Sequence, residues 1–179
     1  MKFGIPIGVI LALAIFASTS LALNTNIYSL SERNLSIDLG PGYDVTQKNV
    51  DNCSGGYFVQ DLMITNANSS GLAILQIMDL YDATLKAMNS STVSEQWDQG
   101  MMSSALQDGG INTGNWKVLN SKGENVTIYT VSMSNNSMKV MGNTANFANW
   151  NIERNVYVGM LSFFDKNITS QIVNTLELN

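Results

Sequence analysis

The chain of 179 residues contains no histidine, and this absence removes several kinds of chemistry. Histidine is the usual general base near neutral pH, a common zinc ligand and the partner that activates serine and cysteine nucleophiles. The chain also lacks the glycine loop with which P-loop proteins bind phosphate. We therefore predict that the protein is not an enzyme and that it holds neither a cofactor nor a metal ion.

Charged residues are scarce as well, at 13% of the chain, and acidic residues outnumber basic ones by 14 to 9. No cluster of basic residues occurs along the sequence. A basic patch is the feature that attracts nucleic acid and anionic membrane surfaces. The sequence thus predicts no nucleic-acid partner.

Carboxylates are the catalytic groups that remain, in two pairs that are close in sequence. Asp79 and Asp82 form one pair, and Glu95 and Asp98 form the other, with the residue types that glycosidases use. Each pair also has a structural explanation, because Asp82 stands where a helix cap is expected and Glu95 fits a capping box. An exported hydrolase acting on envelope carbohydrate is therefore the alternative to a protein without catalytic activity.

Cysteine is represented by Cys53 alone, so no disulfide can form within the chain. A domain of this length buries enough surface to fold without one. We expect an ordinary thiol on a loop, with an intermolecular bridge as the alternative.

The N-terminal segment has the layout of a secretory signal. Lys2 precedes an apolar run at 3–17, and small residues follow at 18–22. We predict a signal helix at 1–22, cleaved after Ala22, and a protein that is secreted or held at the cell surface. Retention as a membrane anchor through residues 3–23 is the alternative, because that stretch is long enough to span a bilayer.

Asparagine is abundant, and several asparagines fit the glycosylation pattern Asn-x-Ser/Thr. Clustering of asparagine and serine in turns is the structural explanation. Export gives the pattern a use, because this modification marks surface loops of exported chains. The predicted acceptors are Asn34, Asn52, Asn68, Asn89, Asn125, Asn135 and Asn167.

The rest of the chain alternates strand and turn signals, interrupted by two helices. We predict a polar lead-in at 23–33 and one α+β domain at 34–179. Thr92 and Glu95 have capping-box spacing at the start of the first helix. The second helix carries an apolar face after a cap at Asn167 or Thr169. The predicted strands are 35–39, 43–47, 57–65, 72–78, 115–119, 126–133, 138–148 and 155–164, with a short edge strand at 176–178.

This order of elements resembles the PsbP-like domain family. The resemblance lies in the turn Leu39-Gly40-Pro41-Gly42-Tyr43, the helix at 93–106, the three-strand meander at 126–164 and the closing helix and tail at 168–178. It implies an antiparallel sheet flanked by helices, an α-β-α sandwich, and a binding or accessory role. It implies no catalytic residues.

Aromatic residues offer the clearest ligand-binding groups, although such residues more often fill a core. Trp150 lies in an expected turn between two asparagines, so we predict that it is exposed and available to a ligand. The leading hypothesis is a non-enzymatic, exported cell-surface module that binds a protein or an envelope component. A membrane-tethered accessory subunit is a further alternative if the signal is not cleaved. The other aromatics considered for a sugar-stacking face are Trp97, Trp116, Tyr129 and Tyr157.

Overall fold

The computed structural model describes residues 25–30, 33–53, 56–67, 71–87, 100, 102–134 and 137–179. The signal segment at 1–22 and most of the predicted helix at 93–106 lie outside these residues. The described strands are β1 (Thr25–Leu30), β2 (Arg33–Asp38), β3 (Tyr43–Cys53), β4 (Tyr57–Asn66), β5 (Leu72–Leu80), β6 (Ile111–Leu119), β7 (Asn125–Ser132), β8 (Thr144–Glu153), β9 (Val156–Ser162) and β10 (Glu177–Leu178). The helical elements are one turn at Ala83–Lys86, residues 102–107, a 3₁₀ turn at Ser137–Val140 and the C-terminal helix at Lys166–Thr175.

Two antiparallel sheets form the framework. The large sheet has seven strands in the order β3-β4-β5-β9-β8-β7-β6, and the small sheet has the order β1-β2-β10. β5 is central, as its continuous apolar sequence predicts, because β4 and β9 pair with its two edges. The predicted meander is confirmed, since β6, β7, β8 and β9 pair in sequence order.

Alternation along the strands divides the large sheet into two faces. On β4, Gln60, Leu62 and Ile64 are buried while the residues between them are only partly covered. This face packs against β2 and the C-terminal helix, and the shared core includes Leu35 and Ile172. A smaller core lies around Ala105, Val131, Met133, Ala145 and Phe147.

The predicted α-β-α sandwich is wrong, because the described chain is mostly β-sheet and is not a sheet flanked by layers of helix. The layer over the core face of the large sheet is built by β1, β2 and β10 together with the C-terminal helix. The segment at 25–30, predicted as part of a polar lead-in, is a strand because its backbone pairs with β2 along six residue pairs.

The turn at Gly40 and Gly42 is confirmed, with φ of 75° and 89°. It does not make a hairpin, however, because β2 and β3 belong to different sheets. β3 is also longer than predicted and includes Cys53, which was expected on a loop. The predicted strand at 138–148 begins only at Thr144, after the 3₁₀ turn.

Candidate binding groove

A row of polar side chains crosses the mostly apolar core face of the large sheet. Thr130, Asn146 and Ser162 are register partners on β7, β8 and β9. Asn146 and Ser162 are buried, at 4% and 0% exposure. Buried polar groups need hydrogen-bond partners. The segment that supplies these partners is therefore held in place against the sheet.

The partners come from the turn after β9 and from the C-terminal helix. Asn146 Nδ2 donates to the Phe164 carbonyl at 2.9 Å, and the Thr169 hydroxyl donates to the same carbonyl at 3.2 Å. Asn146 Oδ1 accepts from the Thr130 hydroxyl at 3.2 Å. The hydroxyls of Ser162 and Thr169 are 2.9 Å apart, and Thr169 is fully buried. The network therefore pins the turn at 163–165 and the first turn of the helix to the sheet.

Two phenylalanine rings of this turn rest on glycines. A Cβ added to Gly71 would lie 2.5 Å from the Phe164 ring, and one added to Gly142 would lie 2.9 Å from the Phe163 ring. Tyr43 also packs edge-on against Phe164, with ring centroids 5.7 Å apart. Any larger residue at the two glycine positions would force these rings to move.

Asp165 caps the C-terminal helix. Its Oδ1 accepts from the backbone N–H of Asn167 at 2.8 Å and of Ile168 at 3.0 Å. The predicted caps, Asn167 and Thr169, are wrong, because both residues lie inside the helix. The side chain that occupies the positive end of the helix dipole is thus already a carboxylate of the chain itself.

Two cavities open on either side of this turn and share Phe163, Phe164 and Asp165 as a common wall. The larger one, about 550 Å³, extends toward β6 and the loop before β8. The smaller one, about 290 Å³, extends toward Tyr43 and Asn66. We call the two cavities together the groove. The larger cavity has the size of a small-molecule site, and the smaller one lies just below that range.

The larger cavity has an aromatic wall with one cation. Trp116 on β6 is half-buried, and its Nε1–H donates to the Ser170 hydroxyl at 3.4 Å. The ammonium of Lys166 lies 5.3 Å from the centroid of the indole ring, within the range of a cation–π contact. Exposed Asn143 and Thr144 also line this cavity. The groove therefore offers an aromatic surface together with amide, hydroxyl and amine groups.

The carboxylate pairs considered from the sequence lie elsewhere. Asp79 belongs to β5, and Asp82 immediately precedes the helical turn at Ala83–Lys86; neither lines the two cavities. Glu95 and Asp98 lie outside the described residues. Among the described side chains that line the two cavities, Asp165 is the single carboxylate, and it caps the helix.

The prediction of an exposed Trp150 is wrong. Trp150 is 5% exposed and lies in the middle of β8, where it pairs with Val158. The asparagines on either side suggested a turn, but alternation directs Ala148, Trp150 and Ile152 to the core face. Its indole Nε1 has no hydrogen-bond partner among the residues that the structure describes.

Three predicted glycosylation acceptors have described side chains, and all three are exposed: Asn34, Asn125 and Asn167. The threonines that complete two of these acceptor triplets differ in exposure. Thr127, which follows Asn125, is partly covered, whereas Thr169, which follows Asn167, is fully buried. Asn52 lies in β3, and its side chain is outside the described set. The residues outside the described ranges are Asn68, Asn89 and Asn135.

The sequence contained a signal for part of the groove. Asp165 is a preferred cap residue and stands directly before an apolar helical period, so it competes with Asn167 as the predicted cap. Trp116 had been considered as a ligand-binding aromatic, but its approach to Lys166 joins residues 50 positions apart. No local pattern predicts such a contact.

Within the described residues, no helix is long and apolar enough to cross a membrane. The same residues contain no group of three or more cysteine, aspartate or glutamate side chains suited to a metal ion. Comparison with protein-family models, curated proteins and solved structures gives no match. The function is therefore inferred from the groove and from the sequence.

Proposed function

We propose that this protein is exported and acts outside the cytoplasmic membrane as a non-enzymatic module that binds an envelope component through the groove. The observation that carries the proposal is the lining of the groove. It combines an aromatic wall with amide and hydroxyl groups, and its one carboxylate, Asp165, accepts two helix N–H groups. These are groups that hold and orient a ligand, whereas carbohydrate hydrolysis generally needs a second carboxylate.

Export is supported by the N-terminal sequence. It is also compatible with the fold, because the predicted cleavage point precedes the first described strand. The predicted cleavage after Ala22 leaves two residues before β1 begins at Thr25. Removal of the signal would thus preserve every pair between β1 and β2. In the tethered alternative, the same short spacing would hold the small sheet close to the membrane surface.

Envelope fragments from the native host provide the test, with sedimentation and release of soluble reducing ends measured on the same sample. We expect the exported protein to sediment with the envelopes without releasing reducing ends. Trp116→Ala should weaken sedimentation. Lys117→Ala is the matched control, because Lys117 neighbours Trp116 on β6, is exposed and lies outside the groove.

The hydrolase alternative would be supported by steady release of reducing ends that Asp165→Asn abolishes. Failure of the wild-type protein to sediment would contradict the binding function. Mass spectrometry of the material from the host would report the mature N-terminus and would distinguish the released protein from the tethered one.

A further inference from the structure

We propose that the groove binds a neutral oligosaccharide that passes across the turn at 163–165. This inference rests on the proposed function and specifies the ligand. A sugar chain presents apolar C–H faces and a rim of hydroxyl groups, so its site requires aromatic surfaces next to amide and hydroxyl side chains. The groove has this combination on both sides of the turn.

The shape of the groove favours a chain of linked rings over one compact ligand. The cavities of about 550 and 290 Å³ are separate but share the wall formed by Phe163, Phe164 and Asp165. A ligand that uses both must cross this wall, as linked sugar units can do. Trp116 lines the larger cavity and Tyr43 lines the smaller one, so each half has an aromatic ring of its own.

The wall between the two halves is held in place before any ligand arrives. The Phe163 N–H donates to the Leu72 carbonyl at 2.8 Å, and the Phe164 carbonyl accepts from Asn146 and Thr169. The Phe164 ring is held between Tyr43 and Gly71. A preorganised wall lowers the entropic cost of binding, which matters for ligands whose individual contacts are weak.

Charge favours a neutral chain over an acidic one. In the described part of the chain, Lys166 is the one basic residue that lines the two cavities, and Asp165 stands beside it. The chain as a whole carries a formal charge of −5, so its field repels polyanions. Lys166 can instead donate hydrogen bonds to sugar hydroxyls from its position over Trp116.

Isothermal titration calorimetry of the exported protein tests the proposal with cellohexaose, maltohexaose, mannohexaose and chitohexaose. Oligogalacturonate provides the acidic arm. We expect at least one neutral hexasaccharide to bind more tightly than the acidic chain and more tightly than its own monosaccharide. Trp116→Ala should weaken that binding about tenfold, the scale of one lost aromatic contact.

Because Trp116 also packs against the core, a second variant keeps the test independent of folding. Asn143→Ala truncates an exposed side chain of the larger cavity, and the Asn143 carbonyl still accepts from the Met133 N–H. We expect it to weaken binding several-fold. Asn115→Ala is the matched control, since Asn115 is exposed on β6 and lies outside the groove.

The proposal is overturned if none of the four neutral chains binds, if oligogalacturonate binds most tightly, or if Asn143→Ala binds as well as Asn115→Ala does. The proposed function can fail separately. Envelope binding that depends on Trp116, without binding of any neutral hexasaccharide, would retain the binding module and reject this ligand. Loss of both would reject both.

Discussion

Gln60 on β4 has a buried side-chain amide that forms no hydrogen bond with the described residues. The residue has 0% exposure, and neither Nε2 nor Oε1 has a hydrogen-bond partner among the described residues. Its partner on β5 is Ile77, and Leu62 follows it on the same face of β4. The amide therefore lies in apolar surroundings. Replacing Gln60 with methionine should stabilise the protein.

The expected gain follows from the desolvation of the amide. A buried polar group without a partner costs about 1–3 kcal/mol. Methionine has a side chain of similar length, with one heavy atom fewer than glutamine, and is flexible, so it can fill nearly the same space without that cost. We expect the free energy of unfolding to rise by about 1–3 kcal/mol, with Tm rising by about 2–4 °C for each kcal/mol.

Gln76 on β5 provides the matched control. It is half-buried, and its Nε2 donates to Asp61 Oδ1 at 3.2 Å. Gln76→Met removes a hydrogen bond that is formed, so it should lower the free energy of unfolding by about 0.5–1.5 kcal/mol. The same chemical change thus has opposite signs at two positions on neighbouring strands.

Urea unfolding followed by circular dichroism measures both variants. For Gln60→Met, the urea concentration at the midpoint of unfolding should rise. The slope of the free energy of unfolding against urea concentration should stay constant, because the surface exposed on unfolding hardly changes. A Gln60→Met protein less stable than the wild type would refute the reasoning, since it would mean that the amide makes a favourable contact in the folded state.

Three further predictions concern the groove and one helix. Gly71→Ala should lower the free energy of unfolding by about 1–3 kcal/mol, because the added Cβ meets the Phe164 ring. At Gly100 an added Cβ meets no atom within 4 Å, so Gly100→Ala should stabilise its helix by about 0.5–1 kcal/mol. Thermal melts compare the two variants. Asp165→Ala should lower stability by about 0.5–2 kcal/mol through loss of the cap, and Asp165→Asn should restore most of it; equal losses in urea unfolding would contradict a capping role. Asn146→Ala should cost about 2–4 kcal/mol, since it removes three hydrogen bonds and leaves a buried void, and a loss under 1 kcal/mol would show that the row does not pin the turn.

The strands with clear alternation or continuous apolar sequence could be predicted, and the packing of the layers could not. β4, β5 and the meander follow from local patterns that match their burial. β1 was not predicted because its mixed polar and apolar residues do not alternate, whereas the strand is defined by its backbone pairing with β2. Without β1, the small sheet cannot be predicted from the sequence, and the resemblance instead implies helices over this face.

The groove escaped prediction for a related reason. Trp150 was expected to be exposed because asparagine favours turns, but pairing between β8 and β9 outweighs that preference. Trp116 joins the site only because the sheet places β6 beside the start of the C-terminal helix. Contacts that depend on sheet order cannot be read from spacing along the sequence.

The central position of β2 in the small sheet has a consequence for the order of folding. β2 pairs with the first described strand on one edge and with the last on the other, and Asn179 Nδ2 donates to Ser36 Oγ from 143 residues away. Contacts between such distant residues form slowly, so this sheet can close only once the chain is available as far as Asn179. The Thr169 hydroxyl contacts Asn146, Ser162 and the Phe164 carbonyl in the folded protein, so it is accessible until the C-terminal helix docks on the large sheet. With the export proposed above, a glycosylation enzyme that reads Asn167 together with Thr169 would have the interval before this docking in which to act.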